Sequence, residues 1–191
     1  MLHSTPLTCI KNWKNNMDEK ELLDIVDEHD NIIGKDTKEN KYKNNLISRN
    51  VILFVLDGKN NLIITKRASH KKTYPNLYDV SACGNVRSGE HPDKAAQREL
   101  FEELGVNCGL QFVGKLFLEF LDRGNQLRFY SYIYLGRHHG EIKLNKELSE
   151  LKKIPFEKVE KLVLENQQEF TPGFIKDFRL VKEFLGSPNS S

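Results

Sequence analysis

A glycine-containing turn that runs into a helix loaded with carboxylates constrains this chain more than any other stretch: residues 84–106 read GNVRSGEHPDKAAQRELFEELGV. Pro92 suits the first position of a helix, Asp93 suits the positive end of its dipole, and Gly105 suits a C-terminal cap. The pattern therefore predicts a helix over residues 92–104. At ~100° per residue, Glu99, Glu102 and Glu103 fall within one face, because offsets of three and four return to the same side. Three adjacent carboxylates repel one another, and a divalent cation offsets that repulsion; hard oxygen ligands on a partly exposed face favour magnesium or manganese. Ala96, Leu100 and Leu104 supply a neighbouring apolar stripe to bury against a sheet. Before the helix, Gly84 and Gly89 permit backbone conformations closed to other residues. Glu90 is brought back beside the helix start, and Arg98 can pair with a loop carboxylate in a structural role.

The rest of the chain reads mainly as strands. Residues 21–27 and 31–35 flank Glu28-His29-Asp30 as a small hairpin, and the Lys/Asn-rich residues 35–50 read as a solvated loop. Residues 51–56 are an unbroken apolar run, as expected of a strand buried on both faces, and the turn signal Asp57-Gly58 leads to a second apolar run at 62–65. A short strand is expected at 79–82. Two longer ones, 111–121 and 126–135, are joined through Asp122-Arg123-Gly124-Asn125. Residues 156–165 read as a helix, and Thr171-Pro172 reads as the cap and first residue of a last helix through Leu185. Strands with helices placed late imply a mixed sheet covered by helices on both sides.

With 191 residues the chain is long enough for one well-filled core. We expect a poorly ordered N-terminal extension at 1–16, a single domain at 17–186 and a short tail at 187–191. Lys+Arg of 29 against Asp+Glu of 27 leaves a net charge of +2, too balanced for a protein whose affinity rests on phosphate-backbone contacts with nucleic acid. Three cysteines without metal-site spacing, Cys9, Cys83 and Cys108, argue against a disulfide framework and for a reducing, cytoplasmic setting. No apolar run reaches the ~20 residues of a membrane span. The expected partner is a small molecule.

The spacing Gly84, Glu90, Arg98-Glu99-Leu100, Glu102-Glu103, Gly105-Val106 resembles the complete Nudix box. Seven polar or glycine positions are fixed, which puts a chance match on the order of 10⁻⁸ per starting point. The resemblance implies a Nudix-type α/β/α sandwich with a mixed β-sheet, and a loop-helix-loop that holds Mg2+ or Mn2+ through Glu99, Glu102 and Glu103 with Glu90 assisting. It also implies hydrolysis of a diphosphate linked to another group. Glu103 is then ligand or base, and Glu147 or Glu150 in the acidic stretch after the long strands are alternative bases.

Beyond the box, Ile25-Val26-Asp27, Arg67-Ala68, residues 71–75 and residues 77–84 resemble the isopentenyl diphosphate isomerase branch of the Nudix superfamily. In that branch an arginine and a lysine matching Arg67 and Lys71 contact the substrate diphosphate, and Cys83 falls on the catalytic cysteine. Lys41, Ser48 and Asn85 occupy the positions of three metal-binding histidines, and none replaces an imidazole. The acid-base glutamates are not evident near residues 126–128, whereas the Nudix box, degenerate in the isomerases, is intact. The expectation is a metal-dependent hydrolase of a nucleotide-like or isoprenoid-like diphosphate, with Cys83 at the lip of the site as packing. The alternatives are an isomerase acting through Cys83 and a binding module without turnover.

Overall fold

The computed structural model describes residues 21–187, apart from the Asn125 side chain, so the expected extension at 1–16 lies outside the described residues, as does nearly all of the tail. Among the described residues, nine strands form one mixed sheet. Strand β3 (Ile47–Leu56) is its spine, paired in parallel with β8 (Asn125–Arg137) from Ile47↔Arg128 to Leu56↔Arg137. The other pairings are antiparallel. On the far edge of β3 lie β1 (Leu22–Val26), β6 (Ala82–Asn85) and β4 (Asn61–Arg67); β2 (Ile32–Thr37) extends β1, and β7 (Leu110–Asp122) extends β8.

The unbroken apolar run in β3 is explained by what covers each face. Val51, Leu53 and Val55 point to helix α2 (Pro92–Leu104), where they meet Ala95, Ala96, Leu100 and Leu104. Ile52, Phe54 and Leu56 point the other way, onto Val159 and Val163 of α3 (Phe156–Glu165) and Phe174, Phe178 and Val181 of α4 (Phe174–Gly186). Alternate residues of a strand face opposite ways, so a sheet with helices on both sides needs both sets apolar. The α/β/α arrangement thus follows from one hydrophobic run and two helix stripes.

Three expectations are corrected and one unforeseen strand is added. Residues 35–50 are not a solvated loop: β2 continues to Thr37, whose Oγ1 accepts the N–H of Asn40 at 3.2 Å and caps a short helix α1 (Lys38–Lys43). Composition hid that cap. The strand expected at 79–82 is two, β5 (Tyr78–Asp79) on β4 and β6 on β3, because the chain changes partner at Ser81, whose Oγ accepts the N–H of Val55. The acidic stretch after the long strands contains an edge strand, β9 (Leu148–Pro155), paired along β4 and masked by the charged side chains that edge strands carry. Finally, α4 starts after Gly173; Thr171 does not cap it but donates its hydroxyl to Asp79 Oδ1 at 2.9 Å.

Candidate active site

Helix α2 forms over the residues the sequence indicates, with His91 Nδ1 accepting the N–H of Asp93 at its start and Gly105 left-handed at its end (φ +64°). Its apolar stripe docks on β3 and so presses the carboxylate face against β6. Glu99 and Glu103, one turn apart, are only 8% and 5% exposed and look into a cavity of about 920 Å³, while Glu102 stands exposed at its rim. The Cys83 N–H donates to Glu103 Oε2 at 3.0 Å, locking strand to helix. Gly84, expected to need an unusual backbone, is ordinary strand within β6 and is required instead because it lies directly against the Glu99 carboxyl.

Arg98 ties the preceding loop to this face. Its Nε and Nη2 fork onto Glu90 at 2.9 and 2.8 Å, Nη2 also donates to the Asn85 carbonyl at 3.0 Å, and Nη1 reaches Glu99 at 2.5 Å and Glu102 at 3.3 Å. Glu90, which also accepts the Arg87 N–H, does not line the cavity. Burial raises the Glu90 pKa, but the Arg98 fork outweighs it and leaves the group below its ordinary value. The two inner carboxyls behave oppositely. Burial lifts Glu99 to about 7 against the pull of Arg98, and lifts Glu103 to about 8 against the Cys83 N–H, with the Glu99 charge adding to the rise.

The facing wall is cationic but largely compensated. Arg67, at the end of β4, donates to Asp79 Oδ2 at 3.1 Å and to Thr73 through its carbonyl and hydroxyl, both at 3.0 Å. Lys71 pairs with Glu147. The Ala68 N–H donates to the Glu147 carbonyl at 2.9 Å, so the edge strand missed in the sequence sets that residue in the cavity. Glu150, the other candidate base, instead accepts the Tyr78 hydroxyl at 3.0 Å and does not line the cavity. Arg67, Lys71, Glu99, Glu102, Glu103 and Glu147 are thereby gathered around one space, although they come from three separate parts of the chain.

The comparisons with known proteins now bear on this geometry. The NUDIX domain family matches residues 46–178. The chain belongs to the Nudix family. It is 33% identical over 158 residues, 82% of this chain and 89% of the relative, to a Photorhabdus laumondii protein named isopentenyl-diphosphate Delta-isomerase 2. It is 40% identical over 95 residues, 49% of this chain and 56% of the relative, to an uncharacterized Nudix hydrolase of a Nostoc species. Among solved structures, DR0079 from Deinococcus radiodurans superposes with a TM-score of 0.69 at 23% identity, covering 83% of this chain and 98% of that one.

Within the Nudix fold, Cys83 borders the cavity half-buried. Its Sγ lies 3.9 Å from Asp79 Oδ2, and burial, helped by the charges of Asp79 and Glu103, pushes the thiol well above its usual range. Of the three positions where the isomerases have histidines, Lys41 and Asn85 line the cavity, whereas Ser48 is fully buried with its hydroxyl unpartnered. Sequence reasoning missed Asp177 of α4. It is buried on the cavity wall with Oδ1 unpartnered, and burial followed by the Asp79 charge holds its carboxyl well above the ordinary range. No local signal marks it, because only the docking of α4 brings it there.

As the side chains stand, no three His, Cys, Asp or Glu groups among the described residues converge to cage an ion unaided. Glu99 and Glu103 nevertheless fit a hard divalent cation. They are paired oxygen donors held together in a space open to water and substrate, and magnesium commonly takes one or two carboxylates and fills its shell from those sources.

Proposed function

We propose that this Nudix protein is a metal-dependent hydrolase of a small organic diphosphate, with Glu99, Glu102 and Glu103 as the acidic face and Arg67 and Lys71 on the substrate-binding wall. The observation that carries the reading is the burial of Glu99 and Glu103 side by side on the cavity wall, where two carboxylates are costly unless a cation joins them. A Mg2+ or Mn2+ ion held there by Glu99 and Glu103, with Glu102 at the rim and Glu90 steadying the loop through Arg98, would neutralise phosphate oxygens and acidify a water.

The chain's own groups account for the rest. Arg67, fixed by Asp79 and Thr73, and Lys71, beside Glu147, orient the diphosphate. Glu103 keeps Oε2 on the Cys83 N–H, which leaves Oε1 for the cation. A water would give its proton to a carboxylate of the acidic face and attack phosphorus. The bridging P–O bond breaks, and the leaving phosphate departs with its electron pair. The test is a panel of nucleoside, isoprenoid and cofactor-like diphosphates with magnesium or manganese. Phosphate or pyrophosphate release by wild type and its loss in a folded Glu103→Gln variant are expected; release undiminished in that variant overturns the reading.

The 33% identity to a protein named as an isomerase, together with Cys83 at the cavity, favours one second reading: conversion of isopentenyl diphosphate to its dimethylallyl isomer. NMR of that substrate after incubation decides between them, since unchanged substrate rules the isomerase out.

A further inference from the structure

Lys41 lies in α1, within the stretch whose composition reads as a solvated loop, yet it is only 2% exposed. It lines the same cavity as Glu99 and Glu103. Its Nζ sits 5.1 Å from the centre of the Tyr42 ring and 5.6 Å from that of Phe129, and among the described residues no carboxylate pairs with it. At that depth its amine is held on the cavity wall and does not extend into bulk solvent.

The contrast with the other cations is chemical. Arg67 and Lys71 already face Asp79 and Glu147, so each presents little net charge to a ligand. Lys41 has only π faces for company, with Lys38 as a like-charged neighbour that depresses its basicity further. An ammonium taken out of water without a counter-ion costs several kcal/mol, and two aromatic faces recover only part of that. The deficit disappears when a ligand brings an anion into the cavity.

We infer that Lys41 is a phosphate-recognition residue of the cavity, supplying to a substrate phosphate the uncompensated positive charge that Arg67 and Lys71 have shared with protein carboxylates. The inference rests on the cavity being the diphosphate site, but not on the diphosphate being hydrolysed there.

Methylenediphosphonate, a diphosphate analogue without a cleavable bridge, is titrated calorimetrically into the full chain with magnesium present. Wild type is expected to bind it. Lys41→Met and Lys41→Gln are expected to bind at least about tenfold more weakly while melting at the same or a higher temperature, since a buried unpaired charge has been removed. Lys41→Arg is expected to keep part of the affinity. Wild-type affinity in either neutral variant overturns the inference, as does a wild type that does not bind the analogue. So does a loss of affinity shared by all three variants and accompanied by a lowered melting temperature, which marks a structural role. Binding through Lys41 without turnover of any diphosphate would sink the hydrolase reading and leave this one standing. Turnover with an unchanged KM in Lys41→Gln would do the reverse.

Discussion

A methyl group added to Gly84 would lie 2.0 Å from the carboxyl carbon of Glu99. The glycine is thus required by close approach of strand to helix, and the atom it spares is the end of a carboxylate side chain held by Arg98. Gly84→Ala should displace that carboxylate and leave the fold standing. We expect diphosphate turnover to fall at least about tenfold, with a melting temperature within a few degrees of wild type, by calorimetry alongside a phosphate-release assay.

The raised carboxyls make the metal-free protein sensitive to pH. Between their unfolded value of 4.5 and the folded values of about 7 for Glu99 and about 8 for Glu103, the native state holds protons that the unfolded state has released. Stability must therefore fall as pH rises through that window. The interval from pH 5 to 7 is the cleanest, because above it Lys41, lowered by burial to about 7, acts in the opposite sense. Melting in chelator should drop by several degrees from pH 5 to 7. Glu103→Gln should flatten the slope, with Asp177 keeping part of it, and magnesium at pH 7 should restore the lost stability.

Arg98 holds three carboxylates and a carbonyl with one guanidinium whose side chain is 16% exposed. Removing it strands buried acceptors. Arg98→Ala should cost about 3 kcal/mol by denaturant titration, and Arg98→Lys should recover only part, since an ammonium cannot fork onto Glu90 while reaching Glu99.

Cys83 meets Glu103 through its backbone, and its thiol faces Asp79 as a neutral group. Cys83→Ala keeps the N–H. Hydrolysis in that variant should stay within a factor of about three of wild type, whereas isomerisation, if the protein performs it, should vanish.

The helix at residues 92–104 was legible because every signal is local: Pro92, Asp93 and Gly105 act within a turn of themselves. The helix at 156–165 and the two-sided burial of residues 51–56 were legible for the same reason, periodicity being a property of consecutive residues. Reading failed where a residue's role depends on a remote partner. Thr171 has the chemistry of a cap, and Asp79 takes its hydroxyl instead. Edge strand β9 carries Glu150, Lys152 and Lys153, so its pattern is charged, and only pairing along β4 makes it a strand.

Sequence alone determined the acidic helix: the spacing of Glu99, Glu102 and Glu103 and its caps lie within 23 consecutive residues, whereas the Glu90 partner of Arg98 and the contact that requires Gly84 were settled by the structure. The tertiary structure decided what faces them. Arg67, Lys71, Glu147 and Asp177 come from distant parts of the chain, and Lys41 from a stretch whose composition argued for solvent. Whether a charge is exposed, paired or buried alone depends on which surfaces pack over it. Local patterning dictates elements, but the dielectric and the partners around a charged group are set only when those elements close around a cavity.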